Sequence, residues 1–184
     1  KKRKELNIED DTLVIGHVGR FVEQKNHRFL IDIFNEVHKQ KENSILLLAG
    51  QGPLMEEMKE KVKILGIENS VKFLGQRNDI NELYQAFDVF CLPSLYEGLG
   101  MVAVEAQVSG LLCVVSTEIP EIAKVTEKIV FINLENNIKT WTETIFNHLK
   151  NANRKNTKFT DGLKKYDIKL EACKLEKKYL KKAK

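Results

Sequence analysis

Apolar positions follow two rhythms along the chain. Short, nearly continuous apolar runs fall at Thr12–Val18, Ser44–Ala49, Val71–Leu74, Val89–Leu92, Leu111–Val115 and Ile129–Ile132. Runs of this length, closed by glycine, proline or charged residues, predict strands buried on both faces. Between them the spacing changes to three and four. Phe29, Leu30, Ile33, Phe34 and Val37 line one face of a predicted helix over Asn26–Gln40. Leu54, Met55, Met58, Val62 and Leu65 line a second, which stops at Gly66. Ile80, Leu83, Tyr84 and Phe87 line a third behind Asp79, a candidate N-cap. Ile138, Trp141, Ile145 and Leu149 mark another helix. Strands alternating with helices imply an α/β fold with a parallel sheet covered on both faces. The expected architecture is a Rossmann-like layer with strand order 3-2-1-4-5-6. Ligands of such sheets bind beyond the carboxyl ends of the strands, at the point where strand order reverses. Arg20, Gly50 and the turn around Glu97 all fall at carboxyl ends.

The stretch Leu92–Gly110 departs from a plain core pattern. Pro93 ends the preceding strand because proline offers no N–H to a ladder. A turn follows, and an almost wholly apolar helix is predicted to open near Leu99. Two acids sit in this setting, Glu97 before the helix and Glu105 within it. Burying an unpaired carboxylate is costly, so each needs a partner. A helix start offers free N–H groups and a partial positive charge to an anion. Gly98 and Gly100 let a ligand approach the backbone. The step from Glu97 to Glu105 spans about 12 Å if fully helical, which suits the two ends of one elongated ligand better than one metal ion. Equally open on spacing alone is a pair of exposed glutamates bridged to lysines.

Composition narrows the classes. The 184 residues fit one sizeable domain with its own core. The longest apolar runs fall well short of the ~20 residues of a membrane helix. The net charge of +4 comes from the ends: Lys1, Lys2, Arg3 and Lys4 at one, and the lysines from Lys174 to Lys184 at the other. The interior is slightly acidic, which argues against a nucleic-acid stripe. The basic tail is either solvated or a contact for an anionic membrane face. Cys91, Cys113 and Cys173 show no metal-ligand spacing and read as reduced cysteines of a cytoplasmic protein. No Asp-x-Asp motif occurs, and Gly50-x-Gly52-x-x-Met55 lacks the third small residue of a dinucleotide fingerprint, which disfavours a nicotinamide-dependent dehydrogenase. His17, His27, His38 and His148 have no evident base or nucleophile partner.

Glu97-Gly98-Leu99-Gly100, with Glu105-Ala106 and Gly110, resembles the paired-glutamate signature of the retaining, sugar-nucleotide-dependent glycosyltransferases of family 4, the glycosyl transferases group 1 with the GT-B fold. The resemblance extends from about Leu13 to Gly110 and more weakly beyond. It implies that Arg20 and Lys25 hold a donor diphosphate, matching a Gly-Arg…Lys-Gly pattern in which Asn26 here replaces the second glycine. Two cations there would stabilise the charge that builds on the leaving group. Read alone, they are ordinary surface cations. The resemblance places Arg77 against the base, where a guanidinium plane can stack; the bland reading is a surface arginine near Asp79. It gives Glu97 the donor sugar hydroxyls and Glu105 the ribose hydroxyls, with the backbone of Gly98, Leu99, Gly100, Met101 and Val102 beside sugar and diphosphate. A carboxylate can accept from two adjacent hydroxyls. Neither metal nor cofactor is implied.

Two departures, Leu111-Leu112 for a glycine–proline pair and Thr117–Glu121 without small glycines, resemble the branch that assembles capsular polysaccharide and exopolysaccharide. The resemblance implies one half of a GT-B fold, the C-terminal donor-binding domain. The expected organisation is a linker over 1–11 from a missing N-terminal domain, a nucleotide-sugar-binding domain over 12–150, and C-terminal helices with a basic tail over 151–184. The expected partners are a nucleotide-sugar donor, in the terms of the resemblance a UDP-sugar, a polysaccharide or lipid-linked saccharide acceptor, and the missing domain, which would hold the acceptor pocket. The alternative is a non-catalytic, glycosyltransferase-like scaffold subunit of a membrane polysaccharide complex.

Overall fold

A computed structural model describes residues 1–150 and 161–182. Six strands, β1 (Leu13–Val18), β2 (Ser44–Ala49), β3 (Val71–Gly75), β4 (Val89–Leu92), β5 (Leu112–Ser116) and β6 (Ile129–Ile132), form one sheet in the order β3-β2-β1-β4-β5-β6. Every neighbouring pair is parallel. The expected sheet and its strand order are therefore present. The polar break expected at 151–158 lies outside the described residues.

Alternating side chains of each strand feed two cores. Leu13 and Ile15 of β1, with Val89 and Cys91 of β4, meet α2 (His27–Gln40), α3 (Met55–Ile64) and α6 (Ile138–Leu149) on one face. Val14, Phe90 and Leu92 meet α4 (Ile80–Ala86) and α5 (Met101–Val108) on the other. Both faces of β1, β2, β4 and β5 are shielded, which is why their sequences are apolar without alternation. Gly16 is required beneath one of these helices: a Cβ there would sit 2.0 Å from the Phe87 ring. A 3₁₀ segment, Asp161–Tyr166, precedes the last helix, α7 (Ile168–Lys182), which lies within 151–184, where C-terminal helices were expected. Among the described residues no helix is long and apolar enough to cross a membrane.

The segment expected as a linker has structure of its own. Lys2–Glu5 forms a helical turn, α1. Arg3 binds both carboxylate oxygens of Asp88 at 2.8 and 2.7 Å and the carbonyl of Ala86 at 3.0 Å. Lys2, only 7% exposed, is surrounded by Glu5, Asp79 and Glu82. This cluster also corrects the expected cap. Asp79 occupies the N-cap position of α4 but makes no side-chain cap bond. Arg77 and Lys2 take both of its oxygens instead, and charged donors outcompete a neutral backbone N–H.

Candidate functional site at the carboxyl edge of the sheet

Strand order reverses between β1 and β4, the place where sheets of this kind form their ligand crevice. The loop after β1 contains a 3₁₀ turn, Glu23–Lys25, and ends at Asn26 with φ 53°, a left-handed conformation. Asparagine is among the few side-chain-bearing residues that adopt it readily. This explains how Asn26 serves where the glycosyltransferase pattern has glycine.

The loop after β4 carries Ser94 and Glu97. Glu97 Oε1 lies 2.5 Å from Lys25 Nζ and accepts a 2.8 Å hydrogen bond from Ser94 Oγ. The Glu97 side chain is 7% exposed and that of Lys25 15%, so the pair is mostly removed from water. Ser116, at the end of β5, donates to the Ser94 carbonyl at 2.6 Å and anchors the turn from below. The two loops are also sewn together directly: Leu95 N donates to Gln24 O at 2.8 Å, and Gln24 Nε2 donates to Tyr96 O at 3.0 Å.

Beyond Glu97 the turn is open. Gly98 has no atom within 4 Å of where a Cβ would stand. Gly100 has φ 67°, and its left-handed backbone delays α5 until Met101, two residues later than the expected Leu99. No side chain caps α5, which leaves its first N–H groups to a ligand. Leu99 and Met101 are partly exposed beside this end, and Val102 follows in the first turn. Ile119 closes over Gly100, within 3.0 Å of its would-be Cβ. Buried Gln107 holds the later part of the same loop in place. Its amide nitrogen donates to Ala103 O and Ala123 O, and its oxygen accepts from Val125 N, Thr126 N and Thr126 Oγ1.

The remaining candidates stand around this centre rather than in it. Arg20 is exposed and lines a cleft of about 590 Å³ with Gly50, Gln51, Gly52, Pro53 and Gln76. Glu105 projects into a largely apolar pocket of about 530 Å³ beside Tyr84, Met101 and Val104. Tyr84 donates its hydroxyl to Glu105 Oε2 at 3.0 Å. Burial, followed by the Glu105 charge, pushes the Tyr84 hydroxyl above its ordinary range, so it stays a donor. Arg77 is engaged by Asp79 through two bonds and by Glu5 at 3.6 Å. The structure thus joins Lys25 with Glu97, while Arg20, Arg77 and Glu105 face neighbouring surfaces. Sequence reasoning missed Ser94, Ser116, Gln24, Tyr84 and Gln107. Their partners lie far off in sequence for the most part, and no local spacing marks them.

Two histidines lie beneath the Lys25 loop. His17 and His27 are 0% and 2% exposed, with ring centroids 4.6 Å apart. His27 stacks on Phe21 at 4.0 Å. Burial first, then the Lys25 charge among others, lowers His17 from 6.5 to about 4 and His27 to about 2. Both are neutral when folded but protonate near 6.5 when unfolded. The unfolded chain therefore takes up more protons as pH falls, and stability is lost below pH 6.5. His17 contributes to that loss down to about pH 4, and His27 down to about pH 2. The expected slope is about 1.4 kcal/mol per pH unit for each histidine. Urea denaturation between pH 7 and 5 measures it, and His27→Phe should roughly halve it.

The family model for glycosyl transferases group 1 matches residues 1–166. The putative glycosyltransferase EpsF of Bacillus subtilis is 44% identical over 139 residues, covering 75% of this chain and 36% of that protein. The UDP-Gal:alpha-D-GlcNAc-diphosphoundecaprenol alpha-1,3-galactosyltransferase of Escherichia coli is 34% identical over 118 residues, covering 62% and 30%. The crystal structure of Anabaena HepE in complex with UDP superposes with a TM-score of 0.72 at 24% identity, covering 83% of this chain and 43% of that one. The chain spans about a third of the length of these two curated relatives. With a match that runs through the Lys25 loop, the Glu97 turn and the whole sheet, the chain belongs to the glycosyl transferases group 1 family.

Proposed function

We propose that the chain is the C-terminal, donor-binding domain of a retaining, metal-independent glycosyltransferase. The donor is a nucleotide-diphosphate sugar, of the UDP class, and the acceptor is a growing capsular polysaccharide or exopolysaccharide, or a lipid-linked saccharide. The observation that carries this reading is the Lys25–Glu97 pair, 2.5 Å apart at the β1/β4 crevice. A carboxylate able to accept from sugar hydroxyls and an ammonium able to meet a diphosphate stand side by side. The uncapped start of α5 lies beside them.

In this reading the donor exchanges partners with the site. The diphosphate takes Lys25, and Arg20 joins from the adjacent cleft. Glu97, released from Lys25 but still bound to Ser94, accepts from the sugar. As the bond to the sugar breaks, charge grows on the leaving diphosphate, and the two cations stabilise it more in the transition state than in the bound donor. Glu105 receives the ribose hydroxyls, steadied by Tyr84, and Arg77 lies along the base. The UDP named for HepE and the UDP-Gal named for the E. coli relative support a uridine donor. The diphosphoundecaprenol named for the latter supports a lipid-linked acceptor, and the basic C-terminal tail suits a peripheral contact with the inner membrane face.

A thermal-shift screen of nucleotide sugars against the full-length protein tests the reading, since a true donor raises the melting temperature by mass action. In the same protein Glu105→Ala should weaken UDP binding by roughly 1.5–3 kcal/mol, the range for a lost charged hydrogen bond. Calorimetry measures it, and unchanged affinity would remove Glu105 from the site.

A further inference from the structure

The sheet is not tied equally across its width. β1 pairs with β2 through six positions, as far as Val18 opposite Ala49, and β4 pairs with β5 as far as Leu92 opposite Val115. β1 and β4 share only two pairs, Ile15 opposite Val89 and Gly16 opposite Phe90. The ladder stops just before the two loops that bring Lys25 and Glu97 together. One step past its last rung stand His17 and Cys91.

There a side chain takes over from the backbone. His17 Nδ1 lies 2.9 Å from the Cys91 carbonyl oxygen. A carbonyl only accepts, so the proton sits on Nδ1 and the neutral ring leaves a lone pair on Nε2. Nε2 is buried and meets no partner among the described residues. It lies directly under the Lys25 loop: a Cβ on Gly19 would be 2.8 Å from Nε2 and 3.3 Å from the methylenes of Lys25. The ring is wedged from the other side by His27, which is stacked on Phe21.

We propose that His17 is a positioning residue for donor binding. Its Nδ1–H to Cys91 bond splints the crevice where the ladder ends, and its ring is the floor that holds Lys25 over Glu97. The proposal rests on the donor-site reading above. It makes the hydrogen bond, rather than ring volume alone, what His17 adds to the direct bonds between the two loops.

Asparagine and glutamine separate bond from bulk, because an Asn amide reaches the position of Nδ1 and a Gln amide that of Nε2. UDP binding to the full-length protein is measured by calorimetry for the wild type, His17→Asn, His17→Gln and His17→Phe, with melting temperatures recorded alongside. His17→Asn is expected to bind within about threefold of the wild type, while His17→Gln and His17→Phe lose about tenfold or more, as for one hydrogen bond to a buried acceptor. Wild-type affinity in a folded His17→Phe overturns the proposal, as does an equal loss in Asn and Gln variants that melt alike. NMR of the imidazole nitrogens gives a check that needs no variant: a proton on Nε2 of wild-type His17 refutes the splint even where UDP binds. A wild-type protein that binds neither UDP nor any nucleotide sugar refutes the donor site itself, and with it the role given to His17. A wild type that binds while all three variants match it refutes the splint alone.

Discussion

Glu97→Ala is expected to lower folding stability by about 3 kcal/mol and to remove nucleotide binding. The stability loss follows from what is left behind. The Lys25 side chain is only 15% exposed, and Glu97 is the single ion-pair partner it has among the described residues. Breaking one side of a buried pair strands the other charge, whereas replacing both sides with apolar groups of similar size is often neutral. Lys25→Met combined with Glu97→Leu should therefore regain most of the stability lost by either single change, yet bind no nucleotide. Urea denaturation followed by circular dichroism gives the first quantity and calorimetry with UDP the second. A Glu97→Ala protein with an unaltered denaturation midpoint would mean that the pair is hydrated and contributes little. A double variant that still binds UDP would mean that the diphosphate is held elsewhere.

Gly50→Ala is expected to be the most damaging single methyl group in the chain. Gly50 has φ 144°, and a Cβ on it would stand 1.9 Å from the Gly19 carbonyl oxygen. The obstacle is backbone, not the yielding end of a side chain. The Gly19 and Gly50 turns are also tied to their neighbours, Gly19 N to Ala49 O at 2.9 Å and Gly50 N to Gly75 O at 2.8 Å, so neither can retreat cheaply. The expected loss is at least about 4 kcal/mol, beyond the usual range for one substitution. Gly66→Ala is the control. Gly66 has φ 69° but open space where its Cβ would be, so it should lose only about 1–2 kcal/mol from backbone strain. Thermal melts of the two variants separate conformational strain from collision. Similar melting temperatures for both would show that the Gly19 turn moves aside freely.

The sheet was legible because burial on both faces writes itself as unbroken apolar runs. β2, β4 and β6 begin and end where those runs do, and the alternation with helices makes the sheet parallel; the order 3-2-1-4-5-6 is that of the Rossmann-like layer to which the alternation was matched. Boundaries drifted where glycine or a polar residue could serve either state. β5 starts at Leu112 and runs through Ser116, whose hydroxyl is needed beneath Ser94. α5 starts at Met101 because the left-handed Gly100 belongs to the turn. The Asp79 cap failed for a different reason: its competitors, Arg77 and Lys2, come from the adjoining turn and from the far end of the chain. At the site, the acid–turn–acid spacing pointed to Glu97 and Glu105, but what each acid touches was not visible. Lys25 and Glu97 are 72 positions apart, as are Gln24 and Tyr96. Contacts of that kind are created by parallel crossovers, which bring the ends of distant strands to one edge and leave no local rhythm to read.

In the donor-site reading, the Lys25–Glu97 ion pair also selects among ligands. With Lys25 paired to Glu97, a lone inorganic anion must part the two while offering the carboxylate nothing in return. A molecule bearing both an anion and neighbouring alcohols compensates each side chain at once. If the donor-site reading holds, the latch favours bifunctional guests over simple phosphates.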